Sequence, residues 1–344
     1  MTMQIIASDL PRQLMNVLQE GLVPYIAGSP GLGKSSVVKQ IADENKLKLI
    51  DIRLAQADIT DLNGMPFMNQ ETGKASFFPF DMWPTEDTEL PEGYNGWLIL
   101  LDELSSCSQS VQAAAYKVIL DRQVGMHTLH KNVAMVAAGN LSTDKAIVTR
   151  MSTALQSRMI HYEMVIDNEG WLDWAAANEI DHRIISFINF KPDALHSFDP
   201  NHNDVTHANP RTWEFLSKII KKMEVLEVRD MATFAGTVSE GMARAFFGYS
   251  QIFESLPTIQ EILKNPESAK IGDEASAFFA VTGLIGYHMT EPNAETLLKY
   301  MTRLPIEFQV VGLRNAVKKT PKITRAPAVT KWMQKVDIDY FKKT

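Results

Sequence analysis

Short apolar runs alternate with helical patterns through the first half of the chain. Each run is six or seven residues long, and apolar residues then recur every three or four positions. The runs predict strands at Leu22–Ala27, Lys48–Arg53, Trp97–Asp102, Val133–Gly139 and Met159–Met164. Because buried strands that alternate with helices are typical of a parallel sheet covered on both faces, we predict an α/β domain over residues 1–167.

The pattern changes after Asp167, where helical periodicity dominates. The predicted helices are Trp171–Glu179, Pro210–Met223, Met231–Tyr249, Ala275–His288 and Glu295–Thr302. Linkers rich in Pro, Asn and Asp separate these helices, as expected for connections between helices. We therefore predict a second, all-helical region over residues 168–344.

Two segments of the first domain do not fit an alternation of strands and helices. Gly64–Phe80 carries turn-forming residues between two apolar arms, and Asp121–Lys131 has Gly125 between two short β-like arms. Both patterns predict β-hairpins. Such hairpins either contact a partner or pack against the helical region, and the sequence leaves both interpretations open.

A glycine-rich loop joins the first long strand to a helical pattern. The loop and the start of the helix consist of Gly28, Ser29, Pro30, Gly31, Leu32, Gly33, Lys34, Ser35 and Ser36. Glycines allow consecutive backbone N–H groups to turn toward phosphates at the positive end of the helix. Lys34 supplies positive charge for the outer phosphates, and Ser35 supplies a hydroxyl for Mg²⁺. This spacing predicts a nucleoside-triphosphate site.

Two further predicted strands end in polar side chains. The third run ends in Asp102 and is followed by Glu103, and the fourth is followed by Asn140. Ligands of open α/β sheets collect beyond the carboxyl ends of the strands. We therefore predict that Asp102 holds Mg²⁺ through its water shell, that Glu103 polarises the attacking water, and that Asn140 orients it.

These motifs, in this order, resemble the AAA+ superfamily of ATPases and, within it, the MoxR-like family with an insert in its second helix. GSPGLGKS is similar to Walker A, LILLDE to Walker B and VAAGN to the sensor 1 strand. The Gly64–Phe80 hairpin lies where MoxR-like proteins carry their insert, and DRQVG resembles their pre-sensor hairpin. The resemblance spans about residues 5–225 and implies that a helical lid follows the α/β domain. Leu141–Lys145 departs from the family, many members of which have a short proline-containing turn there.

The same resemblance implies two functional arginines. The segment ALQSRM resembles the stretch that ends in an arginine finger, which assigns that role in trans to Arg158, with Arg150 on the same predicted helix as the alternative. The segment ANPR resembles sensor 2 at the start of a lid helix, which assigns Arg211 a nucleotide contact in cis. A guanidinium can stabilise the charge that spreads over the γ-phosphate oxygens during transfer.

Composition and charge narrow the class of partner. The chain has 45% hydrophobic and 22% charged residues, as ordinary globular proteins do, and its net charge of −7 argues against a broad electrostatic grip on nucleic acid. The basic stretch at 314–325 is expected to be a solvated tail or helix face. The most apolar stretch, at 278–287, is shorter than the roughly 18–20 residues of a membrane span, so we expect a buried helix and no span.

A single cysteine, Cys107, excludes an intramolecular disulfide and is compatible with a reducing compartment. The N-terminal residues lack the basic-then-apolar order of a signal peptide. We therefore expect a cytoplasmic protein in which Cys107 is buried or half-buried.

The resemblance implies an enzyme that hydrolyses ATP with Mg²⁺ at sites between the subunits of a homo-oligomeric, hexameric ring. It also implies a chaperone-like role on a protein substrate, often with a von Willebrand factor A-type partner. Two alternatives stay open: a nucleic-acid motor or loader within AAA+, and an ATP-binding assembly scaffold with little turnover. The hairpins offer few basic residues to nucleic acid, namely Lys74, Arg122 and Lys131, and the presence of Glu103 favours turnover.

Overall fold

The computed structural model describes residues 4–71, 73–141, 144, 149–199 and 204–336. The chain divides into two compact units, Met1–Asp167 and Asn168–Thr344. The strands of the first unit are β1 Gln4–Ile6, β2 Val23–Ala27, β3 Leu47–Arg53, β4 Met65–Asn69, β5 Lys74–Phe78, β6 Gly96–Asp102, β7 Gln123–Val124, β8 His127–Thr128, β9 Val133–Gly139 and β10 Met159–Val165.

Six parallel strands form one sheet in the order β1-β10-β2-β9-β6-β3, which confirms the predicted parallel sheet. The sequence does not predict β1, because three residues are too few to show a strand pattern. The register pairs Ala27 with Gly139 and Leu101 with Ala137. The carboxyl ends of β2, β9 and β6 therefore meet at one edge of the sheet, which is where ligands bind in open α/β sheets.

Helices cover both faces of this sheet, as predicted. They are α1 Leu10–Gln19, α2 Lys34–Glu44, α3 Ile59–Asn63, α4 Gln109–Asp121 and α5 Thr153–Gln156. Leu98 and Leu100 of β6 are buried in a cluster that includes residues of α1 and α2, whereas Ile99 and Leu101 are buried in a cluster that includes residues of α4. Cys107 is buried in the second cluster, and burial raises the pKa of its thiol to about 11.

Both predicted hairpins are present. The antiparallel pair β4–β5 aligns Met65 with Phe78, and the shorter pair β7–β8 turns at Gly125, whose φ is +61°. The two hairpins pack together, because the His127 Nε2 lies 3.2 Å from the Phe77 carbonyl oxygen and a Cβ on Gly125 would lie 3.1 Å from the Phe77 Cβ. They form a hairpin pair on the first unit.

The second unit is helical, as predicted. Its helices are α6 Asn168–Ala177, α7 His182–Phe190, α8 Pro210–Ile220, α9 Met231–Val238, α10 Glu240–Ser250, α11 Ile252–Ser255, α12 Ile259–Lys264, α13 Ala275–His288, α14 Ala294–Met301, α15 Ile306–Lys319 and α16 Pro327–Lys335. The prediction of one helix over Met231–Tyr249 is wrong, because Ser239 has a φ of +81° and separates α9 from α10. Across the described ranges, no helix combines the length and the apolar character that crossing a bilayer requires.

The basic stretch at 314–325 is only partly a solvated helix face. Its first six residues belong to α15, where Arg314 Nε and Lys318 Nζ lie 3.0 and 2.8 Å from the Asp173 carboxylate of α6. The Lys319 ammonium donates a 2.7 Å hydrogen bond to the Tyr287 carbonyl. Of the two predicted alternatives, a tail or a helix face, these residues show the helix face, and they also hold α15 against its neighbours.

Candidate nucleotide-binding site

The loop between β2 and α2 has the backbone geometry that its glycines allow. Gly31 and Gly33 have φ values of +81° and +97°, in the left-handed region that favours glycine. A Cβ on Gly28 would lie 3.0 Å from the Met164 carbonyl oxygen of β10, so the loop starts in close contact with the neighbouring strand. Leu32 packs on the core beneath the loop, which fixes the loop at the carboxyl edge of the sheet.

The Lys34 ammonium lies inside the loop. Lys34 is 8% exposed, and its Nζ donates hydrogen bonds of 2.6 Å to the Gly28 carbonyl and 3.1 Å to the Ser29 carbonyl. It also lies 3.4 Å from Oδ1 of Asn140, at the end of β9. The predicted phosphate-binding charge and the predicted water-orienting amide are therefore adjacent.

Ser35 and Asp102 form the part of the site that suits a cation. The Ser35 Oγ donates a 2.9 Å hydrogen bond to Oδ2 of Asp102. A hydroxyl and one carboxylate are the oxygen donors that Mg²⁺ takes from proteins when phosphates and waters complete its shell. No group of three or more His, Cys, Asp or Glu among the described residues is arranged to hold a metal by itself. The donor set therefore fits Mg²⁺.

Glu103 has a strained backbone directly after β6. Its φ is +59°, an uncommon conformation for a residue with a side chain, and such strain is concentrated at functional sites. Its backbone N–H donates a 2.8 Å hydrogen bond to Oδ1 of Asp102. Both oxygens of Asp102 thus have partners, whereas the half-buried Glu103 carboxylate makes no hydrogen bond to the described residues. The two adjacent acids therefore have separate environments, which suits separate roles.

Asn140 is held at its backbone by Ser105, a residue that the sequence analysis does not identify. The Asn140 N–H donates a 2.8 Å hydrogen bond to the Ser105 Oγ, which in turn lies 3.2 Å from the Asn140 carbonyl. In the sequence, Ser105 and Ser106 have the composition of an ordinary turn before a helix. Only a contact across 35 positions distinguishes Ser105.

Two further acids, also absent from the sequence predictions, lie beside the site. Burial and the nearby Asp102 carboxylate raise the pKa of Asp51 on β3, with Arg53 opposing them. The buried Asp144 accepts a 3.2 Å hydrogen bond from the Ser29 hydroxyl. The departure from the family pattern at Leu141–Lys145 otherwise lies mostly outside the described residues. Asp51 therefore lies near Asp102, and Asp144 lies beside the loop.

The remaining residues of the predicted loop and the two arginines that flank α5 are placed as follows. Pro30 is half-buried in the loop, and Ser36 is exposed on the first turn of α2.

The prediction that Arg150 and Arg158 share a helix is wrong, because Ser152 caps a helix that covers only Thr153–Gln156. Arg150 precedes α5 and Arg158 follows it.

Arg158, in the first unit, makes no hydrogen bond to the phosphate loop within the described part of that unit. The exposed Arg158 Nη1 donates to the Ala154 carbonyl at 3.2 Å and to the Ser157 hydroxyl at 2.8 Å. Arg211 is exposed on the first turn of α8, in the second unit, where Pro210 and the capping Asn209 start the helix. The predicted role of Arg158 therefore depends on a contact with another subunit. The predicted role of Arg211 depends on a contact outside the second unit.

No protein-family model matches the chain. No curated protein sequence matches it either. Similar solved structures include a candidate ATPase from Cytophaga hutchinsonii, at 15% identity over 95% of this chain and 87% of that chain with a TM-score of 0.37. A mutant of RuvB from Thermotoga maritima is 18% identical over 76% and 75% of the two chains with a TM-score of 0.39, and NtrX from Brucella abortus is 12% identical over 74% and 62% with a TM-score of 0.39. These values are too low to indicate a shared function.

The sheet order, the loop and the helical second unit define the fold as a P-loop α/β domain followed by a helical region. What the site does chemically follows from its own residues.

Proposed function

We propose that this protein is an Mg²⁺-dependent ATPase of the AAA+ superfamily and of the MoxR-like type. The observation that carries the proposal is that two adjacent residues of α2 each bond a side chain at the carboxyl edge of the sheet: Lys34 bonds Asn140, and Ser35 bonds Asp102. Asp102 ends β6 and Asn140 directly follows β9, so the residues keep the chain order of the Walker A, Walker B and sensor 1 motifs. A glycine loop that bound nothing would not need this convergence of an ammonium, a hydroxyl, a carboxylate and an amide.

Each residue of the site has its own proposed role in ATP hydrolysis. Loop N–H groups and Lys34 bind the phosphates. Ser35, and Asp102 through the water shell of the ion, would hold Mg²⁺, which would neutralise charge as the terminal phosphate leaves. Glu103 accepts a proton from a water whose oxygen bonds to the γ-phosphorus. The bond from that phosphorus to the β–γ bridging oxygen breaks, and ADP and inorganic phosphate are formed. Asn140 orients the water.

The proposed enzyme works as a homo-oligomeric ring, hexameric as in the family it resembles. Arg158 is exposed; its guanidinium donates hydrogen bonds within its own segment and lies 5.6 Å from the centroid of the Tyr116 ring. In this proposal it contacts the nucleotide of a neighbouring subunit and acts in trans. Arg150 remains the alternative for this role. Arg211 contacts the nucleotide in cis from the lid in this proposal.

The hairpin pair supports a protein substrate. Its exposed side chains are mainly apolar, since Met65, Phe67, Met68, Phe78 and Met126 are between 50% and 77% exposed. Exposed apolar and aromatic side chains of this kind suit the binding of a polypeptide, whereas binding of nucleic acid needs basic side chains. A chaperone-like role, a von Willebrand factor A-type partner and a cytoplasmic setting complete the proposal and come from the family resemblance.

ATP hydrolysis by the purified protein tests this function. Lys34→Ala should abolish turnover, whereas Lys39→Ala, which changes an exposed lysine on the same helix, should not. Turnover unaffected by Lys34→Ala would contradict the proposed site. Turnover stimulated strongly by single- or double-stranded DNA would favour the nucleic-acid motor, and ATP-dependent assembly without turnover would favour the scaffold.

A further inference from the structure

The chain after β6 stays alongside β9 although the two strands no longer pair. The β6–β9 ladder ends where Leu101 aligns with Ala137. Glu103 then turns the backbone, and the Leu104 N–H donates a 2.9 Å hydrogen bond to the Ala138 carbonyl. The next residue, Ser105, therefore lies beside the end of β9, two residues after Glu103.

The Ser105 hydroxyl hydrogen-bonds the backbone of Asn140, which a neighbouring strand would otherwise do. It accepts a hydrogen bond from the Asn140 N–H at 2.8 Å and lies in donor range, 3.2 Å, of the Asn140 carbonyl. Burial raises the pKa of the Tyr25 hydroxyl of β2, and the nearby Ser105 hydroxyl acts against this effect. The Ser105 hydroxyl thus has Tyr25 as a second polar neighbour besides Asn140.

This contact is tightly packed. Ser105 is 2% exposed, and a Cβ on Gly139 would lie 2.6 Å from the Ser105 Oγ and would also clash with the Tyr25 hydroxyl. On its other side, the Ser105 carbonyl accepts a 2.7 Å hydrogen bond from the Thr149 N–H. Ser105 therefore has little freedom to move, and neither has the backbone of Asn140.

We propose that Ser105 is a positioning residue that fixes Asn140 relative to Glu103, so that both can act on one water. The proposal rests on the proposed ATPase function. Ser105 is linked to Glu103 through the chain, with one residue between them, and to Asn140 through a pair of hydrogen bonds. Since a misplacement of about 1 Å can cost roughly 10²-fold in rate, loss of this hydroxyl should affect turnover more than nucleotide binding.

The kinetic test uses Ser105→Ala, with Ser106→Ala as the matched neighbouring control. We expect Ser105→Ala to lower kcat by at least about 10-fold while the Kd for a non-hydrolysable ATP analogue changes less than about twofold. In an Asn140→Ala background the same change should cost less than about twofold, because Ser105 acts through Asn140. Full additivity, or a kcat equal to that of Ser106→Ala, would overturn the proposal.

Amide hydrogen exchange at Asn140 gives a second measurement that needs no turnover. Ser105→Ala should speed exchange of the Asn140 N–H by at least about 10-fold, and Ser106→Ala should leave it unchanged. Unchanged exchange in Ser105→Ala would overturn the proposed contact. Ser105→Cys, whose thiol accepts only weakly, should give the same results and replaces the alanine variant if that variant does not fold. A wild-type protein without turnover would overturn the ATPase function, and exchange would still show whether Ser105 holds Asn140.

Discussion

The Ser35 hydroxyl donates a 2.9 Å hydrogen bond to the Asp102 carboxylate, across 67 positions of sequence. This bond joins the first turn of α2 to the end of β6. It places the two oxygen donors proposed for Mg²⁺ within hydrogen-bond distance of each other, which lowers the cost of organising the site.

Removing the charge of Asp102 should weaken the use of Mg²⁺. Asp102→Asn keeps the shape of the side chain and an oxygen for Ser35, but an amide oxygen holds a hydrated cation less strongly than a carboxylate does. We expect the Mg²⁺ concentration for half-maximal turnover to rise about 10- to 100-fold, as for other residues that support a metal shell. Titration of turnover with Mg²⁺ measures this. Asp43→Asn, on the exposed face of α2, is the control, and an unchanged Mg²⁺ requirement in Asp102→Asn would contradict the assignment.

Much of this site could be predicted because its parts are local in sequence. The glycines at 31 and 33 supply left-handed conformations within the loop itself, and Asp102 is the last residue of an apolar run. A strand that is followed by a glycine-rich loop or by an acid can be recognised from residues that are adjacent in the sequence. The periodicity that predicts the strands therefore also predicts which edge of the sheet carries these side chains.

The parts that were missed depend on contacts between distant segments or on single backbone angles. Ser105 is distinguished only by its hydrogen bonds to the backbone of Asn140. The break at Ser239 comes from a left-handed residue inside an otherwise continuous helical pattern. The short extent of α5 follows from the cap at Ser152, which separates Arg150 from Arg158. Apolar periodicity contains none of this information.

Glu103→Gln should separate binding from turnover. The amide keeps the size of the side chain but cannot accept the proton of water, so we expect ATP to stay bound while turnover falls by about 10²- to 10⁴-fold. Phosphate release and retention of labelled ATP measure the two effects. Glu92→Gln, in an exposed loop, should behave as wild type. Unchanged phosphate release in Glu103→Gln would refute its role as the base.

Arg158→Ala should abolish turnover in a way that a second mutant can partly repair. If the arginine acts in trans, mixing Arg158→Ala subunits with Lys34→Ala subunits creates some sites with an intact loop facing an intact arginine. Turnover should therefore reappear in the mixture, although each variant alone is inactive. An arginine finger is worth about 10³- to 10⁵-fold in other phosphate hydrolases, so the effect is large enough to measure.

The same mixing with Arg150→Ala decides between the two arginines. Rescue with Arg150→Ala and none with Arg158→Ala would transfer the role to Arg150. If intact oligomers show rescue with neither, the trans arrangement itself is refuted. Sedimentation of each mixture checks that the oligomers are intact.

Buried His182 should make the second unit less stable in mild acid. Its ring packs against Phe253, Tyr287 and His288, at centroid distances of 5.2, 5.6 and 6.2 Å. Burial lowers its pKa from 6.5 to about 4; Arg183, His288 and Lys319 act in the same direction and Asp181 opposes them. The unfolded chain therefore takes up the proton first as pH falls, so stability is complete above about pH 6.5 and is lost between about pH 6.5 and 4.

From these pKa values, the effect of His182 should lower the free energy of unfolding by about 2 kcal/mol when the pH falls from 7 to 5. Urea unfolding followed by circular dichroism at both pH values measures the loss. His182→Phe should reduce this pH dependence, whereas His127→Gln, in a hairpin of the first unit, should leave it unchanged. Burial also lowers the pKa of His288, so a smaller dependence of the same sign should remain in His182→Phe. Equal pH dependence in His182→Phe and wild type would show that His182 is not held neutral by burial.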